Sequence, residues 1–290
     1  MPVANAGLIG RLTSTINLDQ IAFNDQINLM SKALKSLLVI VTFSSTALAH
    51  GPKHYKPGTT FKDCETCPEM IVIRPGSFRM GDLSVVGADD EKPVHKVKIG
   101  YTFAVGKFEV MQGEWKSVMG SNPSQFKNDR NPVESVSWDD AKAFVRKLNT
   151  KTGKEYRLLS ESEWEYVARA GSNDKFPWGN DINASNAKFN NGKTPTSPVP
   201  VGSYSANAFG VHDTAGNVYE WPEDCYYENY DGAPSDGSAW TGVGPCSQQV
   251  LRGGSWNNEP WYLRSAFRIG YYSTYRHNYI GFRIARTLSR

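Results

Sequence analysis

The sequence predicts an α+β fold with little regular secondary structure, and three observations carry that expectation. Short apolar runs, one of them alternating with polar residues, fill the segment from Met70 to Phe108. Three short helical patterns with capping residues follow between Val110 and Gly171. From Ser172 to Val250 the chain is dominated by Gly, Asn, Pro, Ser and Asp, interrupted by the aromatic anchors Trp178, Phe189, Tyr204, Phe209, Trp221 and Trp240. An irregular stretch of that length needs a disulfide or a metal to hold it. The composition agrees: 290 residues with 26 Gly, 8 Trp and 12% aromatic residues describe a loop-rich chain whose core is built from rings.

The beginning of the chain has the pattern of an export signal. Met30-Ser31-Lys32-Ala33-Leu34-Lys35 is a basic leader, Leu37 to Phe43 an apolar run, and Ala47-Leu48-Ala49 a small-residue cleavage site. That is the order of a secretory signal peptide, expected over residues 30–49. A signal peptide starts at the initiator, so Met30 is expected to be the true start and residues 1–29 a mis-called extension. The apolar run is too short for a membrane span. Residues 50–67 are expected to be a linker, the folded domain to run over 68–290, and the protein to be periplasmic or secreted.

Within the domain, Met70 to Ile73 is expected to be a strand, Pro75-Gly76 a turn and Ser77 to Gly81 the returning strand of a hairpin. Asp82 to Lys92 is an acidic loop, and strands are expected at Val94–Ile99 and Phe103–Phe108. A first helix is expected from about Val110 to Met119, stopped by Gly120. Ser137 caps a second, with Asp139 and Asp140 at its positive dipole end and Ala141, Phe144, Val145 and Leu148 facing inward. Gly153 ends it. A capping box, Ser160 to Glu163, opens a third, with Trp164, Val167 and Ala168 inward and Gly171 closing it. Val250-Leu251 and Ile280 to Ile284 supply the last strands.

The charge balance excludes some functions. Thirty-two basic against 29 acidic residues give a net charge of +3, too small to imply a nucleic acid or an anionic membrane as partner. Four cysteines form a C-x-x-C, Cys64 with Cys67, and a later pair, Cys225 with Cys246. Zinc would need four converging ligands, so in an exported chain two local disulfides are expected. The stretch from Arg252 to Arg286 has no nucleophile, metal cluster or phosphate loop. It is rich in rings and adaptable polar groups, the composition of a contact surface. Its candidate ligand surface is Trp256, Asn257, Asn258, Trp261, Tyr271, Tyr272, Tyr275 and His277. Arg264, Arg268 and Arg283 are expected to brace loops through carboxylates and carbonyls.

Eight motifs in order then resemble one family, the formylglycine-generating enzymes or sulfatase-modifying factors. They are Pro68 to Gly81, Asn131-Pro132-Val133 with Val136-Ser137-Trp138, Arg157 to Glu165, Pro177-Trp178-Gly179, Asn207 to Gly210, Gly216 to Trp221, Arg252 to Trp256, and Gly281-Phe282-Arg283. The resemblance covers roughly residues 68 to 287. It implies a fold related to C-type lectins, low in regular structure and stabilised by calcium. In the family's oxidases two cysteines bind copper and convert a sulfatase cysteine to formylglycine with oxygen. The first of those positions corresponds here to Asn258, and no cysteine follows Cys246. An amide supplies no thiolate for Cu(I) and cannot exchange with a substrate thiol, so copper is not expected.

The resemblance carries further implications. The iron-binding His-x-x-x-His-x-Glu run of the related sulfoxide synthases has no counterpart among the five histidines. A further branch, exported to the periplasm, acts on siderophore precursors. The family's calcium ligands correspond to the Asp213 side chain, the Gly216 and Val218 carbonyls and Glu220, an all-oxygen set that suits calcium. A second calcium site has Lys188 in its leading position. Asn257 to Tyr279 also resembles the variable repeat of diversity-generating retroelement targets, which share this fold. Three readings stay open: a calcium-stabilised recognition or accessory protein, a protein- or peptide-modifying oxidoreductase, and a diversified ligand-binding protein. The ligand, a protein or peptide, and the oligomeric state are left open.

Overall fold

The computed structural model describes residues 55–193, 197–242 and 246–288. The expected extension, the signal peptide and the first part of the linker lie outside the described residues. No helix among the described residues is long and apolar enough to cross a membrane.

The fold begins earlier than the sequence suggested. Within the expected linker, β1 (Thr60–Phe61) pairs antiparallel with β2 (Met70–Ile73). All four β2 residues are buried, and a strand with no polar face is stable only inside a sheet covered on both sides. β2 accordingly lies between β1 and β5 (Phe103–Gly106), in a five-stranded antiparallel sheet ordered β1-β2-β5-β11-β6. β6 is Tyr156–Leu158 and β11 is Ile284–Thr287.

The expected hairpin is therefore a correction. β3 (Gly76–Met80) does not pair with β2; it pairs with β4 (His95–Ile99) in a separate two-stranded sheet. Each of these strands alternates exposed with more buried residues, the pattern of a ribbon with one face to solvent. That pattern matches β3 to β4 rather than to the wholly buried β2.

The three helices form close to where they were expected. α1 is Gln112–Met119, ended by Gly120 at φ 88°. It starts two residues late because Val110 is already committed: its N–H donates to Phe282 O and its carbonyl accepts from Val133 N–H. α2 is Trp138–Thr152, capped by Ser137 Oγ on the Asp140 N–H and ended by Gly153 at φ 64°. α3 is Glu161–Arg169, opened by the Ser160–Glu163 capping box and wholly buried. Its C-cap is Ala170 at φ 47°, one residue before the expected Gly171. Between helices and sheet, Trp115 stacks on Phe144 at 5.4 Å and Phe282 meets Phe144 edge-on at 5.4 Å. Each fully buried ring of this kind contributes roughly 1.5–3 kcal/mol.

The loop-rich half is organised by a four-stranded sheet ordered β10-β7-β8-β9. β7 (Tyr219–Glu220) lies parallel to β10 (Ile280–Gly281) and antiparallel to β8 (Gln249–Arg252). β9 (Arg268–Tyr271) completes it. Both expected disulfides form, Cys64–Cys67 and Cys225–Cys246. The second anchors the loop that precedes β8.

Candidate functional site

The C-terminal stretch separates into a buried half and an exposed half. The buried half is built from arginines. Arg264 makes a fork on Glu91 at 2.6 and 2.7 Å, and Arg268 makes one on Glu161 at 2.8 and 2.9 Å. Arg252 pairs with Glu165 and donates to the carbonyls of Ser265, Ala266 and Phe267. Arg283 takes Glu220 at 2.7 Å and the carbonyls of Gly106 and His212. Their bonds are thus used on carboxylates and loop carbonyls, which is the bracing role expected for Arg264, Arg268 and Arg283. Two-pronged charge-assisted bonds are among the strongest available to a folded chain.

The exposed half is built from rings. Tyr271 stacks on Tyr275 at 4.6 Å and His277 on Tyr279 at 3.8 Å, with Tyr275 and His277 6.3 Å apart. Tyr272 is 65% exposed and Trp261 39%. Trp261 covers the Arg264 guanidinium at 4.5 Å and meets Phe267 edge-on. Buried Phe267 and Tyr219 link Trp261 to Tyr279, so the structure does gather Trp261, Tyr271, Tyr275 and His277 around one aromatic cluster. Asn257 is exposed and Asn258 half-buried.

Trp256, expected at the surface, is a correction. It is only 6% exposed, because its ring packs edge-on against Phe126 at 5.6 Å and its Nε1–H donates to Asn278 O at 3.2 Å. The phenols missed by the sequence reading are Tyr219 and Tyr262. Burial first, then the neighbouring Tyr271, Tyr262 and Tyr279 phenols, push the Tyr219 hydroxyl far above its ordinary range. It stays protonated.

Asn258, expected from the family resemblance at the first catalytic-cysteine position, accepts a hydrogen bond from Ser255 Oγ at 2.5 Å, and its carbonyl accepts from the Asn190 N–H. It is held as a loop constraint, and all four cysteines are in disulfides elsewhere.

The turn from Asp213 to Glu220, expected to hold calcium, has part of the necessary oxygen set. Asp213 and Asn217 are left-handed, at φ 57° and 59°. Asp213 Oδ2 accepts from the Gly202 N–H at 2.7 Å, whereas its Oδ1 is buried with no partner. Neither the Gly216 nor the Val218 carbonyl accepts a bond among the loop hydrogen bonds of the described residues. Those three oxygens fit a hard cation. Glu220 fits less well, since its carboxylate already holds Arg283 and the Trp164 Nε1–H at 2.8 Å. No three acidic, histidine or cysteine side chains among the described residues form a metal group, so carbonyls would have to complete the set.

Behind this turn lies a carboxylate that the sequence reading missed, Glu109. It accepts from Asn217 Nδ2 at 2.6 Å and the Val218 N–H at 3.1 Å. Burial, then Asp213 and Glu220, raise it well above the usual carboxylate range. A cavity of about 1130 Å³, lined by none of these residues, lies against Tyr101, Arg157, Glu163 and Glu223.

Comparison with known proteins agrees with the arrangement. The family model described as "Sulfatase-modifying factor enzyme 1-like domain" matches residues 56–288. The solved structure of PvdO from Pseudomonas aeruginosa is 40% identical, with TM-score 0.76 over 81% of this chain and 100% of PvdO. Treponema denticola variable protein 1 is 25% identical, with TM-score 0.69 over 79% of this chain and 98% of that one. A Chlamydia caviae protein named serine/threonine-protein kinase pkn1 is 30% identical over 266 residues, 82% of this chain and 40% of the other. The chain thus spans two fifths of the length of that relative. The α+β fold is the one the two solved structures share with this chain.

Proposed function

The chain belongs to the sulfatase-modifying factor enzyme 1-like family, and from that premise we propose that it is an exported accessory protein recognising a peptide without copper oxidation. The observation that carries this reading is Asn258. By the family resemblance an amide tied to Ser255 stands where the oxidases require a thiolate, while the stacked rings from Tyr271 to Tyr279 offer contact area in the same C-terminal stretch. Peptides of the siderophore-precursor class, handled by the family's exported branch, are the first ligands to try. Calorimetric titration of such a peptide is expected to show binding that Tyr275→Ala abolishes. Equal binding by the variant would refute the ring surface as the site.

Export is supported by the two disulfides, which suit an oxidising compartment. Calcium at the Asp213–Glu220 turn is part of the same proposal, supported by the unpartnered Asp213 Oδ1. A ligand that binds only the folded chain at 100 times its Kd stabilises it by about 2.7 kcal/mol. Calcium should therefore raise the melting temperature and a chelator should lower it; Asp213→Ala should remove the effect.

A second reading is favoured by the match to Treponema denticola variable protein 1. In it, Tyr271, Tyr272, Tyr275 and His277 are diversified ligand-binding positions. A template repeat and a reverse transcriptase beside the gene would support it, and their absence from the genomic DNA would end it.

A further inference from the structure

The two disulfides close loops of very different length. Cys225 and Cys246 are 21 residues apart, whereas Cys64 and Cys67 are 3 apart, with a Cα–Cα distance of 5.0 Å. Closing a shorter loop restrains the unfolded chain less, so the C-x-x-C bridge is the weaker staple. Cys64 is half-buried beside the exposed Glu65 and Thr66, while Cys67 is fully buried. Thr66 Oγ1 lies 3.8 Å from Cys64 Sγ and accepts from Lys151 Nζ at 3.0 Å. The Lys151 cation thus reaches the bridge through the Thr66 hydroxyl, and positive charge near a sulfur favours its thiolate.

Helix α1 backs this turn. Ser117 Oγ reaches Thr66 O at 3.5 Å, and Val118 and Met119 pack into the same apolar cluster as both cysteines. One turn earlier on the helix, Glu114 is buried; its Oε2 accepts from the Met111 N–H and its Oε1 has no partner. The charges that act on it are Lys62 and Glu69, which flank the bridge on either side, and Glu69 is itself held by Lys107 at 3.3 Å. Burial pushes the Glu114 carboxyl up to about 7. It can therefore hold or release a proton near neutral pH.

We propose that Cys64–Cys67 is a redox-active bridge that exchanges with a dithiol, with Cys64 as the sulfur attacked and Glu114 as the proton source for the buried Cys67. A thiolate of the dithiol attacks Cys64 Sγ, and the Cys64–Cys67 bond breaks. Cys67 leaves as a thiolate and takes the proton of the Glu114 carboxyl. The second thiolate of the dithiol then attacks its own sulfur in the mixed disulfide and releases Cys64, which is protonated by water. Two electrons pass from the dithiol, which becomes a disulfide, to the bridge, and Glu114 regains its proton from solvent. Exchange through a mixed disulfide follows attacking-thiolate content and access, and Cys64 is the accessible sulfur here.

The test is controlled reduction of the folded, full-length chain with dithiothreitol, followed by alkylation and mass mapping of all four cysteines. Cys64–Cys67 is expected to open at reductant levels that leave Cys225–Cys246 closed. Its rate should carry an inflection near pH 7 in addition to that of dithiothreitol itself. E114Q should remove the inflection and slow exchange by on the order of 10²-fold at neutral pH, the usual weight of a positioned acid. K151A, a surface change that leaves the core intact, should slow exchange by a smaller factor. Both bridges opening together only as the chain melts would overturn the proposal, as would K151A and E114Q with unaltered rates and pH profiles.

Discussion

The two halves of the C-terminal stretch are held in opposite ways. Arg252, Arg264, Arg268 and Arg283 are buried, and each is locked by a carboxylate that arrives from elsewhere in the chain. The rings from Tyr271 to Tyr279 stack mainly on one another, and Arg276 among them is tied at the surface to Asp140. The first arrangement fixes the loops with a few strong, mutually dependent bonds. In the second, Tyr271, Tyr275 and Tyr279 rest half-buried on the core and Tyr272 is exposed. A scaffold that is rigid beneath and permissive above is what a recognition surface needs, since order in the frame lowers the entropy lost on binding.

The largest effect should come from breaking the rigid half. Arg268→Ala leaves Glu161 charged in the core without its fork, and removing one partner of a buried pair typically costs about 3–5 kcal/mol. Chemical denaturation should show a loss of that size, and a loss below about 1 kcal/mol, the scale of an exposed pair, would contradict the bracing role.

An effect of pH should come next, again confined to the rigid half. Asp224 lies fully buried beside Glu161, and burial, then the Glu161 charge, pushes its carboxyl up to about 8. A folded value above the unfolded one means that the folded chain holds a proton which the unfolded chain releases. The stabilisation is complete below about pH 4, the ordinary aspartate value, and is lost as pH rises through about 8. Each pH unit between the folded and unfolded values corresponds to about 1.4 kcal/mol, so stability from this group should fall by a few kcal/mol across that range. Denaturation of Asp224→Asn should show a flatter pH dependence; an identical slope would mean that the proton is held elsewhere.

The smallest effect on stability should come from the permissive half. Tyr272→Ala removes an exposed ring, and surface changes of this kind stay within about 0.5 kcal/mol. A loss of several kcal/mol would place Tyr272 in the frame rather than on the surface.

Much of this division was legible in the sequence. Serines followed by acids three residues on marked two helix starts, and the guanidinium fork itself marked Arg264, Arg268 and Arg283 as braces. The failures have one physical source: pairing and burial depend on partners far away in the chain. Met70–Ile73 had a plausible turn and return strand beside it, yet its four buried residues required the interior position next to β5. Trp256 carries a polar tip that suits a surface, but Phe126 and the Asn278 carbonyl, from separate loops, enclose it. Glu109 could not be connected to the Asp213–Glu220 turn because 109 residues separate it from Val218. Its one local signal was an acid inside an apolar run, after Phe108 and before Val110.

The central claim is that the stretch around Asn258 is a contact surface and not an oxidase site. Its most direct test is to incubate the purified chain with copper, oxygen and a CxPxR-type peptide, and to look for formylglycine by mass spectrometry. The account predicts an unchanged peptide cysteine. Formylglycine formed by this chain, and lost in Asn258→Ala, would contradict it.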